Sequence, residues 1–282
     1  MSVAPSSALY LSHISENGNS EDGSFHKFFE LWLAEQNQHL KDLSEAADES
    51  SGVVTSERVQ VLVERVEEHY ELYYKAKSRW AKQDVLAMLT PSWRSTLEES
   101  FLWIGGWRPS MAFHLLYSKS SLQFEARLND LMQGMKTCDL GDLCAVQLSE
   151  LDDMQRRTIR EERELTDVMA EHQETVADAP MVELSHVLTE IVGGGNEGGC
   201  DNKELEERVE SALEPKVEKL EEILQKADNL RLKTLQGIVG ILTPQQAIHF
   251  LIAAAELHLR LHEWGKKMDA KKGNHQGLDS TI

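Results

Sequence analysis

Apolar residues recur along this chain at steps of three and four, and nowhere do they alternate with polar ones over the length of a strand. In FHKFFELWLAEQNQHLKDL the residues Phe25, Phe28, Phe29, Trp32, Leu33, Leu40 and Leu43 keep mostly to that step, which predicts an amphipathic helix with a heavily aromatic face. Glu57 to Leu89 sets Val59, Leu62, Val63, Val66, Tyr70, Tyr73 and Trp80 against Glu64, Arg65, Glu67 and Glu68, and Thr90-Pro91 ends it. From Val146 to Val176 an inner stripe that includes Leu148, Leu151, Met154, Leu165 and Met169 is backed by a charged, solvated face of Arg156, Arg157, Arg160 and Glu161 to Glu164. Pro180 breaks that helix, and Met181 to Ile191 reads as a shorter one. A long helix from Asn202 passes Pro215, which kinks or restarts it, with Leu213, Val217, Leu220, Leu224 and Ala227 at heptad-like spacing. The fold class predicted is all-α: a bundle of about eight to ten helices packed through amphipathic stripes.

The last long helix is specified at both ends. Thr243 is an N-cap, Pro244 suits the first helical position, and Gly265 can close the C-terminus. Around it His249, Glu256, Arg260 and Glu263 gather into a polar stripe, while His258 and His262 fall inside the apolar sector. An imidazole taken out of water needs partners for its ring nitrogens. Residues four apart on a helix lie roughly 5–6 Å apart at Cβ, so both rings can enter one pocket and share a metal, a cofactor or a polar partner. The alternative is two core histidines bonded to neighbouring carbonyls or carboxylates.

Between the second and third of these stretches lies LEESFLWIGGWRPSMAFHLLY, where a helix must stop at Gly105-Gly106, turn through Trp107-Arg108 and restart near Pro109. Such an elbow is architectural, or Arg108 grips a carboxylate or a carbonyl-rich helix end.

Met1 to Gly23 shows no sustained period and reads as a disordered arm, residues 24–267 as one helical domain, 193–201 as a flexible glycine-rich connection, and 268–282 as a frayed tail. The formal net charge of −19 argues against binding a phosphate backbone, which depends on clustered cations. Cys138, Cys144 and Cys200 match neither a disulfide framework nor familiar zinc spacing, no long apolar run suits a membrane, and no nucleophile–base pairing suggests an enzyme.

Together with QLSELDDMQRRTIREERELTDVMAEHQE and KADNLRLKTLQGIVGILTPQQAIHFLIAAAELHLRLHEWG, the elbow segment resembles the plant DELAY OF GERMINATION family, whose domain also forms the C-terminal part of TGA-type bZIP transcription factors. The likeness runs from Phe25 to about Lys267, and the words Trp-Ile-Gly-Gly-Trp-Arg-Pro and Ala-Asp-Asn-Leu-Arg carry it. No basic region or zipper stands before Phe25, so direct DNA binding is not expected.

The resemblance implies a non-enzymatic regulator of seed dormancy and abscisic-acid signalling, acting in nucleus and cytoplasm. It ties the histidine pair, here His258 and His262, to haem. It also implies contact with type 2C protein phosphatases through the first helix, here Phe28, Phe29 and Trp32. A transcriptional co-regulator of bZIP factors, with a groove for an acyl chain, is the other reading. Trans axial ligands reach an iron from opposite faces, so two histidines one turn apart on an intact helix cannot both be axial to one iron. At most one ligates each haem, and the other orients it or holds a propionate.

Overall fold

The computed structural model describes residues 5–16, 24–49, 56–128, 132, 138–193 and 202–279. Among them the architecture is all-α: α1 Ser6–Glu16, α2 Phe25–Glu49, α3 Ser56–Ala81, α4 Val85–Leu89, α5 Thr96–Glu99, α6 Met111–Ala126, α7 Ala145–Glu174, α8 Ala179–Gly193, α9 Asn202–Ile241 and α10 Pro244–Asp279. The core forms where the apolar stripes of α2, α3, α6, α9 and α10 meet, with Phe28, Val63, Phe113, Ile238 and Ile248 among its fully enclosed side chains.

Local chemistry sets most boundaries. Asp84 accepts from the Ala87 amide at 2.9 Å and opens α4, so the long second stretch is two helices broken at residues 82–84. Thr243 and Gln246 form a reciprocal cap on α10: the Gln246 amide donates to Thr243 Oγ1 at 3.3 Å, and the Thr243 amide to Gln246 Oε1 at 3.0 Å. Pro215 sits inside α9 without ending it.

Two parts read as disordered are corrected. Ser6–Glu16 is helical because a carboxylate from α2 supplies its cap: the Ser7 amide donates to Glu35 Oε1 at 2.8 Å, and its hydroxyl to Glu35 Oε2. The start of the tail is helical as well, since α10 runs through Gly265 to Asp279. Gly265 is a point of close approach, where a Cβ would fall 1.9 Å from Ser95 Oγ. One turn on, Asp269 Oδ2 accepts from the Thr96 amide at 3.0 Å and fastens α10 to α5. The glycine-rich connection at 194–201 lies outside the described residues, as do 17–23.

The elbow is a two-residue reversal. Trp103 and Gly106 exchange backbone hydrogen bonds of 2.7 and 3.2 Å around Ile104 at φ 45° and Gly105 at φ 66°, two left-handed residues in succession as in a type I′ turn. A Cβ on Gly105 would meet the Met88 carbonyl at 2.7 Å. All its outward carbonyls are taken by two buried cations. Arg231 donates from Nη2 to the carbonyls of Trp103 and, at 2.9 Å, of Ile104, and from Nε to that of Trp107 at 2.6 Å. Lys77 Nζ donates to the Gly105 carbonyl at 2.8 Å. Asp228 ties the cations together, accepting from Lys77 at 2.9 Å and from Arg231 Nη1. Arg108 does grip a carboxylate, Glu162 Oε2 at 2.9 Å, while the other oxygen of that buried glutamate caps α6 at the Ser110 amide.

Removing one member leaves the others charged and enclosed. Arg231→Met is therefore expected to cost about 3–5 kcal/mol, and Gly105→Ala about 1–3 kcal/mol through backbone strain. Urea unfolding checks both. A loss under 1 kcal/mol for Arg231→Met would show that water, not the guanidinium, satisfies the elbow.

Candidate functional site

Because α10 crosses α5 at Gly265, the turn carrying His262 comes against Glu98, and the turn before it carries His258 to the edge of an enclosed space. That space is a cavity of about 150 Å³ walled by Trp32 from α2, Tyr70, Tyr73 and Tyr74 from α3, the segment from Arg94 to Trp107, and α6 and α10. Its interior is aromatic. Trp32 stacks on His69 with centroids 4.5 Å apart and donates its Nε1 to the His69 carbonyl at 3.0 Å. Trp107 donates to Tyr74 Oη at 2.9 Å, which links the elbow to the wall. Phe101, Met111 and Leu257 line the mouth and are exposed.

The two histidines have separate situations. His262 is buried, and its Nδ1 donates to Glu98 Oε2 at 2.9 Å. The same oxygen accepts from the Ser95 amide at 2.9 Å and hydroxyl at 2.7 Å, so Glu98 serves both as the α5 capping carboxylate and as an anchor for α10. Burial pushes its pKa up, yet the bonds from His262 and Ser95 outweigh that and hold the carboxyl at about 2. His258, by contrast, makes no hydrogen bond among the described residues; its ring lies 5.6 Å from Trp32 and 6.5 Å from Phe29. Burial, followed by the nearby Arg94 charge, lowers its pKa to about 4, so the ring is a neutral imidazole at neutral pH.

Arg94 completes the site. It reaches Tyr73 Oη only at 3.4 Å, and its Nε is buried with no partner. A guanidinium left short of acceptors beside a neutral imidazole, in an aromatic cavity, suits a ligand with an apolar body and an anionic edge. Deeper in, His69 is fixed as neutral, with burial and then the His39 charge lowering its pKa to about 2.

The expected shared pocket for the histidine pair is thus half present: His258 lines the cavity and His262 is bonded beneath it. The expected partner-binding face on α2 is corrected. Phe28, Phe29 and Trp32 are 0%, 1% and 1% exposed, because α3 and α10 cover the aromatic stripe from two sides and a face that apolar is stabilised by enclosure. Trp32 belongs to the cavity wall instead. Sequence reasoning missed Arg94 and Glu98, although Ser95-x-x-Glu98 has capping-box spacing. Among the described residues no group of three or more His, Cys, Asp or Glu side chains is placed to hold a metal ion.

Comparison with known proteins agrees with the architecture. Residues 39–118 match the family described as DOG1, seed dormancy control. Over 248 residues the chain is 30% identical to Protein DOG1-like 3 of Arabidopsis thaliana, spanning 86% of this chain and 83% of that one. The chain belongs to the DOG1 family. Protein DOG1-like 4 of the same plant is 30% identical over 254 residues, or 90% of this chain and 97% of its own length. Transcription factor TGA5 of Arabidopsis thaliana is 26% identical over 257 residues, which cover 90% of this chain and 68% of that factor. The role of this DOG1-family chain is accordingly regulatory. No helix among the described residues is long and apolar enough to cross a membrane.

Glu98 gives a pH prediction. Its folded pKa lies below the usual carboxylate value, so its contribution is present above about pH 4.5 and is lost as pH falls toward 2. Glu98→Gln should cost about 1–3 kcal/mol at pH 7, with the gap from wild type narrowing between pH 4.5 and 2.5. Urea midpoints measured across that range check it; a gap that stays constant contradicts an ionised, bonded Glu98.

Proposed function

We propose that this chain is a non-enzymatic regulator of seed dormancy whose state is set by a ligand held at His258, with haem as the ligand that the donor set fits best. The observation that carries this reading is the neutral, unbonded imidazole of His258 on an aromatic cavity whose one guanidinium, Arg94, has a buried Nε without an acceptor. His258 would hold the iron, and Arg94 would face a propionate. Trp32, Tyr73 and Phe250 exclude water, and His262, pinned to Glu98, fixes the rotation of α10 that aims His258. A cavity of about 150 Å³ admits only an edge of a macrocycle, so binding displaces the exposed Phe101, Met111 and Leu257 at the mouth. Bound haem would supply a redox- and gas-responsive centre.

Contacts with protein partners, type 2C protein phosphatases among them, then belong on the outward side of α2, where His26, Lys27, Glu30 and Asn37 are exposed, and not on the enclosed aromatics. A second reading, co-regulation of bZIP factors in the nucleus, is favoured by the similarity to TGA5 over 90% of this chain.

Haemin titration followed by the Soret band tests the proposal. His258→Ala should weaken binding at least about tenfold, His262→Ala should weaken it less and leave an axial histidine in place, and Arg94→Met should lower affinity without changing the axial ligand. A six-coordinate bis-histidine spectrum in the monomer, lost equally in both histidine variants, would contradict the assignment.

A further inference from the structure

A second concave surface shares no lining residue with the cavity at His258. The bundle encloses α9 only from Ile223 onward. Its first half is braced on one side, where Lys216 Nζ donates to the Thr175 carbonyl and to Asp178, each at 2.7 Å, and its carbonyl accepts from His172 at 2.9 Å. The other side is left open. There Val209, Leu213 and Val217, one turn apart, face α4 and α8 across a trough of about 1000 Å³, with Leu86 and Leu188 on the far walls. Leu86, Leu213 and Val217 are 52%, 39% and 38% exposed, so the floor is apolar and wet.

Charge decides what such a floor can take. Glu206, Glu210, Glu214, Glu218 and Glu221 form a continuous stripe beside the apolar one, and none makes an ion pair among the described residues. Lys82 is the single basic residue among the described lining, and Asp84 adds to the acid. Carboxylates at i, i+4 repel one another by a few tenths of a kcal/mol per pair. This half of α9 therefore keeps an arrangement that is locally unfavourable and that an opposing row of cations would relieve.

We propose that the trough between α4, α8 and the first half of α9 is the docking site for a basic amphipathic helix of a partner protein, its apolar side on Val209, Leu213 and Val217 and its Lys or Arg residues along the glutamate stripe. Helix-in-groove recognition supplies the mode: apolar anchors at i, i+3 or i+4 and i+7 give affinity, and the flanking charges give register and steering. The apolar run from Val209 to Val217 spans about 12 Å and the glutamate stripe about 22 Å, which correspond to two and four turns of a docked helix.

The test uses the full chain and a fluorescein-labelled synthetic helix of about 18 residues, with leucines at those spacings and lysines elsewhere, read by fluorescence anisotropy at low and high salt. The same peptide with glutamates in place of the lysines is the first control. A general pull from an acidic protein is separated by two triple variants with the same change in charge: Glu210→Lys, Glu214→Lys, Glu218→Lys in the trough, and Glu150→Lys, Glu164→Lys, Glu171→Lys on α7. The trough set should weaken binding about ten- to hundredfold and the α7 set less than about threefold, with affinity falling as salt rises. Leu213→Gln, folded by circular dichroism, should weaken it as well. Equal losses in the two triple variants, equal binding of the glutamate peptide, or no binding at low salt would each overturn the proposal. None of these outcomes bears on haem binding at His258.

Discussion

Two enclosed cations sharing one carboxylate hold this fold in its working shape. Lys77 comes from near the end of α3, Asp228 and Arg231 from the second half of α9, and what they grip is a reversal of the backbone between α5 and α6. A turn with two successive left-handed residues, one of them isoleucine, is not a conformation the chain adopts by preference. It persists because four of its carbonyls find charged donors there. Gly106 makes the arrangement possible, since a Cβ at that position would lie 2.7 Å from the Arg231 guanidinium carbon. Burial, opposed by Asp228 and reinforced by Arg231, lowers the Lys77 pKa to about 8. Lys77 is thus under electrostatic load and stays ionised at neutral pH through its partner Asp228.

The cavity is a consequence of that grip. Pinning the elbow places Trp107 against Tyr74 and sets the start of α6, which Glu162 then caps and Arg108 covers. The opposite wall depends on Gly265, which lets α10 press onto Ser95 closely enough for His262 to reach Glu98. His258 is left one turn earlier with no hydrogen bond among the described residues, and Arg94 with a buried nitrogen unanswered. Well-packed interiors seldom leave two such groups together, and the ligand site proposed above rests on this pair.

Much of this was legible in the residues alone. Three- and four-step stripes identified the long helices, Thr243 and Gln246 marked the start of α10, and the apolar placement of His258 and His262 singled out the pocket edge. What escaped depended on contacts distant in sequence. Helix α1 has no amphipathic period and is capped by Glu35; Gly265 has the look of a terminus until Ser95 is brought against it. An apolar stripe shows which side of α2 must be covered but not by what, so Phe28, Phe29 and Trp32 read as a surface when α3 and α10 enclose them. The words Trp-Ile-Gly-Gly-Trp-Arg-Pro and Ala-Asp-Asn-Leu-Arg are separate in sequence, and the structure shows they are two halves of one contact: carbonyls of the first accept from the Arg231 guanidinium of the second, which also donates to Asp228.

Native-state hydrogen exchange at the amides of Trp103 and Gly106, in a rising series of sub-denaturing urea, tests that contact most directly. If the buried cations fix the elbow, both amides open only with the whole molecule, and their exchange free energies fall with the same urea dependence as global unfolding. Exchange of these two amides at the rate of an exposed loop, independent of urea, would mean that the elbow opens on its own and that the cavity behind it has no fixed wall.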